Sequence, residues 1–136
     1  MIKEVLIIII SLLGFLLGVI LSYIAPEELK PGKKYFIFMK ESLFYLTLAY
    51  SLFLFIYFQN FYFTLIPIIY FPLHLFFIKK QRKYLQTISN YIFFIIIYIT
   101  FTTLIPENNI LIILPVLIFL YGLPAGTLFR KFNYDI

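Results

Sequence analysis

Residues 42–78 read SLFYLTLAYSLFLFIYFQNFYFTLIPIIYFPLHLFFI, 37 positions without an aspartate, glutamate, lysine or arginine. As one helix this stretch would run about 55 Å, far beyond a hydrocarbon core of about 30 Å, so it predicts two membrane-crossing helices. Gln59 and Asn60, the polar pair near its middle, mark the turn between them. The first of the two spans is expected over 36–58, with Lys40 and Glu41 near the headgroups where a lysine can snorkel. The second is expected over 61–78.

The same arithmetic extends in both directions. Val5–Ala25 is a charge-free run of 21 residues, about 31 Å of helix, and predicts a span over 5–25. It is longer than the apolar region of a cleavable signal and no small-x-small site follows Ala25, so it is expected to be retained. Pro26, Pro31 and Gly32 predict a polar loop that ends this helix. Beyond the cluster Lys79-Lys80-Gln81-Arg82-Lys83, two more apolar runs predict spans over 87–105 and 110–127, separated by a minimal turn at Glu107-Asn108-Asn109. The whole chain of 136 residues is 63% hydrophobic and 12% charged, with a mean hydropathy of +1.02. Soluble domains have about 45–50% apolar and about 25% charged residues, so a soluble fold is excluded. The expectation is an all-α integral membrane protein, a single polytopic domain over 1–136 built as a compact bundle of about five transmembrane helices.

Charge gives an orientation. With five spans, Lys30, Lys33, Lys34, Lys40, Lys79, Lys80, Arg82, Lys83, Arg130 and Lys131 fall on one side, ten of the eleven basic residues, and Lys3 alone on the other. The positive-inside rule then places the N-terminus outside and the C-terminus inside, in a multi-pass protein of the cell membrane. A re-entrant hairpin would leave the same charge pattern; helix length favours full crossing.

Chemistry is sparse. There is no cysteine and only one histidine, which leaves no metal constellation, no catalytic triad and no expected cofactor. Ser11, Gly14, Gly18 and Ser22 form a small-residue stripe of the GxxxG kind, which lets a second helix approach closely, from this chain or from another subunit. Gly122 and Gly126 repeat the spacing, but Pro124 between them predicts a break or turn. Pro67, Pro72 and Pro115 predict helix kinks, since each withholds a backbone N–H and frees a carbonyl one turn earlier. Thr64, Pro67, Phe71 and His74 share one face, and Thr47, Tyr50 and Ser51 another. Glu41 and His74 form a candidate polar pocket near the inner boundary. Lys30, Lys33, Lys34, Lys79, Lys80, Arg82, Lys83, Arg130 and Lys131 form a candidate surface for anionic lipid headgroups.

These features suggest a non-enzymatic subunit or scaffold of a membrane assembly, partnered by the lipid bilayer and by copies of itself or other membrane proteins. Two alternatives stay open: a small-molecule transporter or channel with a kinked-helix cavity, and a lipid-phosphate-binding or lipid-modifying enzyme. Nucleic acid is not expected as a partner, because the chain has no extramembrane module to read it.

Overall fold

The computed structural model of the chain describes residues 2–80, 82–105 and 109–134; the side chains of residues 28, 29 and 130–134 are not described. The described residues contain five long helices, α1 (Ile2–Ile24), α2 (Leu29–Tyr57), α3 (Leu65–Lys79), α4 (Lys83–Leu104) and α5 (Ile113–Tyr134), and no strand. With the short turns that precede α3 and α5, all five are long and apolar enough to cross a membrane. The expected turn residues Glu107 and Asn108 lie outside the described residues.

Three of the helices begin in the same way. A 3₁₀ turn comes first, over Pro26–Glu28, Phe61–Thr64 or Asn109–Ile112, and the α-helix that follows has proline as its third residue: Pro31, Pro67 or Pro115. The N–H groups of a first helical turn have no partner within the helix, so proline there loses no hydrogen bond. This corrects one expectation. Pro31 does not stop a helix but belongs to the first turn of α2, so that α2 begins well before residue 36 and carries Lys30, Lys33 and Lys34. Pro67 and Pro115 likewise lie in the first turn of their helices. The helix-interior prolines are Pro72 and Pro124.

The packing inverts that of a soluble protein. On α1 the buried residues are Ser11, Gly14, Gly18 and Ser22, while Leu6, Ile9, Leu13, Leu16, Leu17 and Ile20 are exposed. Both serine hydroxyls are satisfied locally, Ser11 donating to the Ile8 carbonyl at 2.6 Å and Ser22 to the Val19 carbonyl at 2.5 Å. The stripe faces α5. A Cβ on Gly14 would collide with the Phe119 carbonyl oxygen, and one on Gly18 with that of Leu123. Four residues along α1 correspond to four along α5, so the two helices run parallel. From the other side, a Cβ on Gly122 would lie 2.5 Å from the Phe15 backbone nitrogen, and one on Gly126 would strike the Phe15 carbonyl oxygen. The expected break at Gly122 and Gly126 is thus absent. The helix continues through Pro124, and its glycines complete a contact between two GxxxG faces.

Helix α5 occupies the centre, packed against α1, α2 and α4, while α3 lies chiefly on α4. The core between them is aromatic: Phe44 and Phe55 from α2, Phe93, Phe94 and Phe101 from α4, and Tyr121 from α5. Phe55 stacks on Phe101 with centroids 4.2 Å apart and also on Phe63 at 6.0 Å. Phe55, Phe63 and Phe101 lie in the half of the bundle near Asn60, whereas Phe44 and Tyr121 reach the polar side chains that gather in the other half.

Candidate functional site

The polar residues sit one to three turns in from the basic end. In α2, Lys40 lies eleven residues beyond Leu29, about 16 Å along the axis. His74 is five residues before the end of α3, and Gln86, Thr87, Ser89 and Asn90 occupy the first two turns of α4.

At the centre is His74, fully buried and stacked on Phe44 with centroids 3.8 Å apart. Its Nδ1 lies 3.0 Å from Asn90 Oδ1 and its Nε2 lies 3.1 Å from Glu41 Oε2. An amide oxygen only accepts, so Nδ1 carries a hydrogen and donates it. The opposite edge of the ring, at Nε2, faces the Glu41 carboxyl. Asn90 is the hub. Its Oδ1 also accepts from the Tyr70 hydroxyl at 2.6 Å, and its Nδ2 donates to the Tyr121 hydroxyl at 2.8 Å. Tyr70 lies a further 2.9 Å from the Ser89 hydroxyl. On the other side of the carboxylate, Gln86 Nε2 donates to Glu41 Oε1 at 2.9 Å. The network therefore joins α2, α3, α4 and α5, with hydrogen bonds satisfying the groups that the bundle withdraws from water.

Glu41 remains partly open, because it borders a pocket of about 270 Å³. Lys40, Tyr45 and Ile37 from α2, Phe77 and Ile78 from α3, Lys83 and Gln86 from α4, and Leu128 from α5 complete its lining. Lys40 does not snorkel to the surface as expected. It is 4% exposed, and its ammonium donates to Thr87 Oγ1 at 2.8 Å. Thr87 is its one hydrogen-bond partner among the described residues, which leaves two of its three N–H donors to the pocket.

The expected headgroup surface is only partly assembled. Lys83 lines the pocket, whereas Lys30, Lys33 and Lys34 sit on the first turns of α2, about 9–15 Å further along the axis than Lys40. Lys79, Lys80 and Arg82 are exposed at the α3–α4 connection, with the Lys80 ammonium 4.5 Å from the Phe76 ring centroid. The side chains of Arg130 and Lys131 lie outside the described residues. Of the other polar residues singled out from sequence, Thr47 and Ser51 are buried and bond to the carbonyls of Leu43 and Leu48 in their own helix. The Tyr50 hydroxyl donates to the Ile110 carbonyl at 2.6 Å. Thr64 donates to its own turn, at the Phe61 carbonyl.

Sequence reading picked Glu41 and His74 but missed Lys40, Gln86, Thr87, Asn90, Tyr70 and Tyr121 as members of the same constellation. A signal was present: Gln86, Thr87, Ser89 and Asn90 are four polar residues within five positions at the start of a charge-free run. Comparison with protein families, with curated proteins and with solved structures finds nothing that matches the chain.

Proposed function

We propose that the chain is a five-span protein of the cell membrane, N-terminus outside and C-terminus inside, that binds a phosphate-type anion in the inner pocket between α2, α3, α4 and α5. The observation that carries this reading is Lys40. An ammonium taken out of water and held by one neutral hydroxyl is costly, and ionisable groups inside a helix bundle mark function far more often than packing. Together with Lys83 and the amide of Gln86, it offers an anion a cationic wall with hydrogen-bond donors. The Glu41 carboxyl on the same wall is engaged by His74 and Gln86, which bond to its two oxygens.

Other features support the membrane part of the proposal. Small residues are buried on α1 and branched aliphatic ones exposed, which suits a lipid surround. The subunit or scaffold role takes second place, since a scaffold has no use for a buried ammonium. Transport is less well supported, because stacked rings of Phe55, Phe63 and Phe101 fill the half of the bundle opposite the pocket.

The test compares Lys40→Met with Lys34→Met, using purified protein in phosphatidylcholine nanodiscs and two probes, inorganic phosphate and phosphatidic acid. Lys40→Met should weaken binding at least tenfold, whereas Lys34→Met should leave it within twofold. Because the methionine removes a buried charge, the Lys40 variant should be at least as stable as the parent protein. Equal, graded losses at both positions would reduce the basic residues to an orientation signal and refute the pocket.

A further inference from the structure

Beside the anion pocket, further around α4, lies a second hollow, a groove of about 410 Å³ between α1, α4 and α5. Its walls are apolar: Leu12 and Phe15 from α1, Ile88, Ile92 and Ile95 from α4, and Phe129 from α5. Tyr91 gives its ring to the groove and buries its hydroxyl close to Gly122. Along α4 the lining runs from Tyr84 to Ile95, about 16 Å of rise. That is about half of a hydrocarbon core of about 30 Å, the depth of one leaflet. The groove begins beside Lys83, at the basic end of the bundle, so the leaflet it matches is the one on the pocket side.

The two hollows back onto one another. Lys40, on the pocket wall, donates to Thr87, on the groove wall. Leu128 and Phe129, consecutive in α5, line the pocket and the groove respectively. A cationic recess and an apolar channel one leaflet deep therefore adjoin at the Lys40–Thr87 bond and at Leu128 and Phe129. A free inorganic anion uses only the recess, and a partner's transmembrane helix needs a groove through the whole membrane. A lipid uses both hollows at their observed dimensions.

We infer that the anion is the headgroup of an inner-leaflet lipid, with its phosphate between Lys40 and Lys83 and one hydrocarbon chain in the groove between α1, α4 and α5. This rests on the anion-binding reading and names the source of the anion. Thr87 stands where head and chain join, and Lys40 exchanges its bond to that hydroxyl for the phosphate oxygens.

The experiment uses the unaltered chain in phosphatidylcholine nanodiscs containing a trace of phosphatidic acid with a photoreactive group at mid-chain. After irradiation, mass spectrometry locates the label. It should concentrate on Leu12, Phe15, Ile88 and Ile92, and should fall at least tenfold in Lys40→Met or on adding excess unlabelled phosphatidic acid. A phosphatidylcholine carrying the same photoreactive group should label exposed positions such as Ile69 and Ile113 and show no such concentration. Phosphatidic acid that binds through Lys40 yet scatters its label like phosphatidylcholine would overturn the groove inference and leave the anion pocket intact. Loss of all Lys40-dependent binding would instead overturn the reading beneath it. Photolabel-independent crosslinks between two copies through Ile92 would assign the groove to a second copy of the chain and also overturn the inference.

Discussion

Replacing Gly18 by alanine adds one methyl group where two helix backbones meet. The added Cβ would lie 2.9 Å from the Gly122 carbonyl oxygen and 3.0 Å from Gly126 Cα, and closer still to the Leu123 carbonyl oxygen. All three are backbone atoms, so no rotamer change relieves the contact and α1 must withdraw by about 1 Å. A gap of that size forfeits a quarter to a half of each dispersion contact along the crossing, and overpacking of this kind costs about 3 kcal/mol at the upper end of its usual range. Alanine recovers about 1 kcal/mol through its better helix propensity, which leaves a net loss of about 2 kcal/mol. Gly32→Ala supplies the control. There the nearest atoms belong to the Phe36 ring, which can turn aside, so the same propensity gain stands unopposed. The two substitutions should differ by about 3 kcal/mol, more than a hundredfold in the folding equilibrium. Reversible unfolding in mixed micelles, titrated with dodecyl sulfate and followed by circular dichroism, measures the difference. Equal stabilities for Gly18→Ala and Gly32→Ala would refute the close crossing of α1 and α5.

Asn90→Leu removes three side-chain bonds, to His74, Tyr70 and Tyr121, and at about 0.6 kcal/mol for each such bond between membrane helices should cost about 2 kcal/mol in the same titration. Tyr91→Phe should be neutral or stabilising by up to about 1 kcal/mol, because the hydroxyl it deletes is buried without a hydrogen-bond partner among the described residues. Pro115→Ala should change stability by less than about 1 kcal/mol, whereas Pro72→Ala should stabilise more, since only the latter restores a helix-interior hydrogen bond, to the Ile68 carbonyl. The chain has no cysteine, so single cysteines report topology without background: one at Asn60 should react with an impermeant maleimide from outside, and one at Lys80 only from inside. The reverse pattern would invert the proposed orientation.

Helix class and the approximate helix positions were legible because uncharged runs of membrane length leave few other ways to satisfy the backbone. Helix starts were read less well. Pro26 and Pro31 read as breakers and Pro67 and Pro115 as kinks, although Pro31, Pro67 and Pro115 each sit in a first helical turn, where proline is favourable. Gly14 and Gly18 were found by spacing, yet their counterparts Gly122 and Gly126 were set aside because Pro124 lay between them. A proline ring can sit on the opposite face of a helix from two glycines four residues apart. The site was half legible. Glu41 and His74 stood out as rare ionisable groups, but Asn90 carries no charge, and which neutral amide becomes a hub depends on packing between distant helices. Lys40 departs from the expectation because snorkelling is the default for a lysine near a helix boundary, whereas here the side chain turns inward and bonds to Thr87 of α4.

The pairing of α1 with α5 sets a timetable for biogenesis. Helix α1 fits most closely against α5, roughly a hundred residues later in the chain. At about 5–20 residues per second, that separation is about 5–20 s of synthesis during which the glycine face of α1 is without its partner. Whatever occupies that face in the interval must let go when α5 arrives. A nascent chain that stalls before Gly122 presents the same face to any other small-residue helix nearby. Docking of α5 is the step that covers the GxxxG stripe, so quality control that recognises the uncovered stripe would distinguish chains that have made this contact from chains that have not.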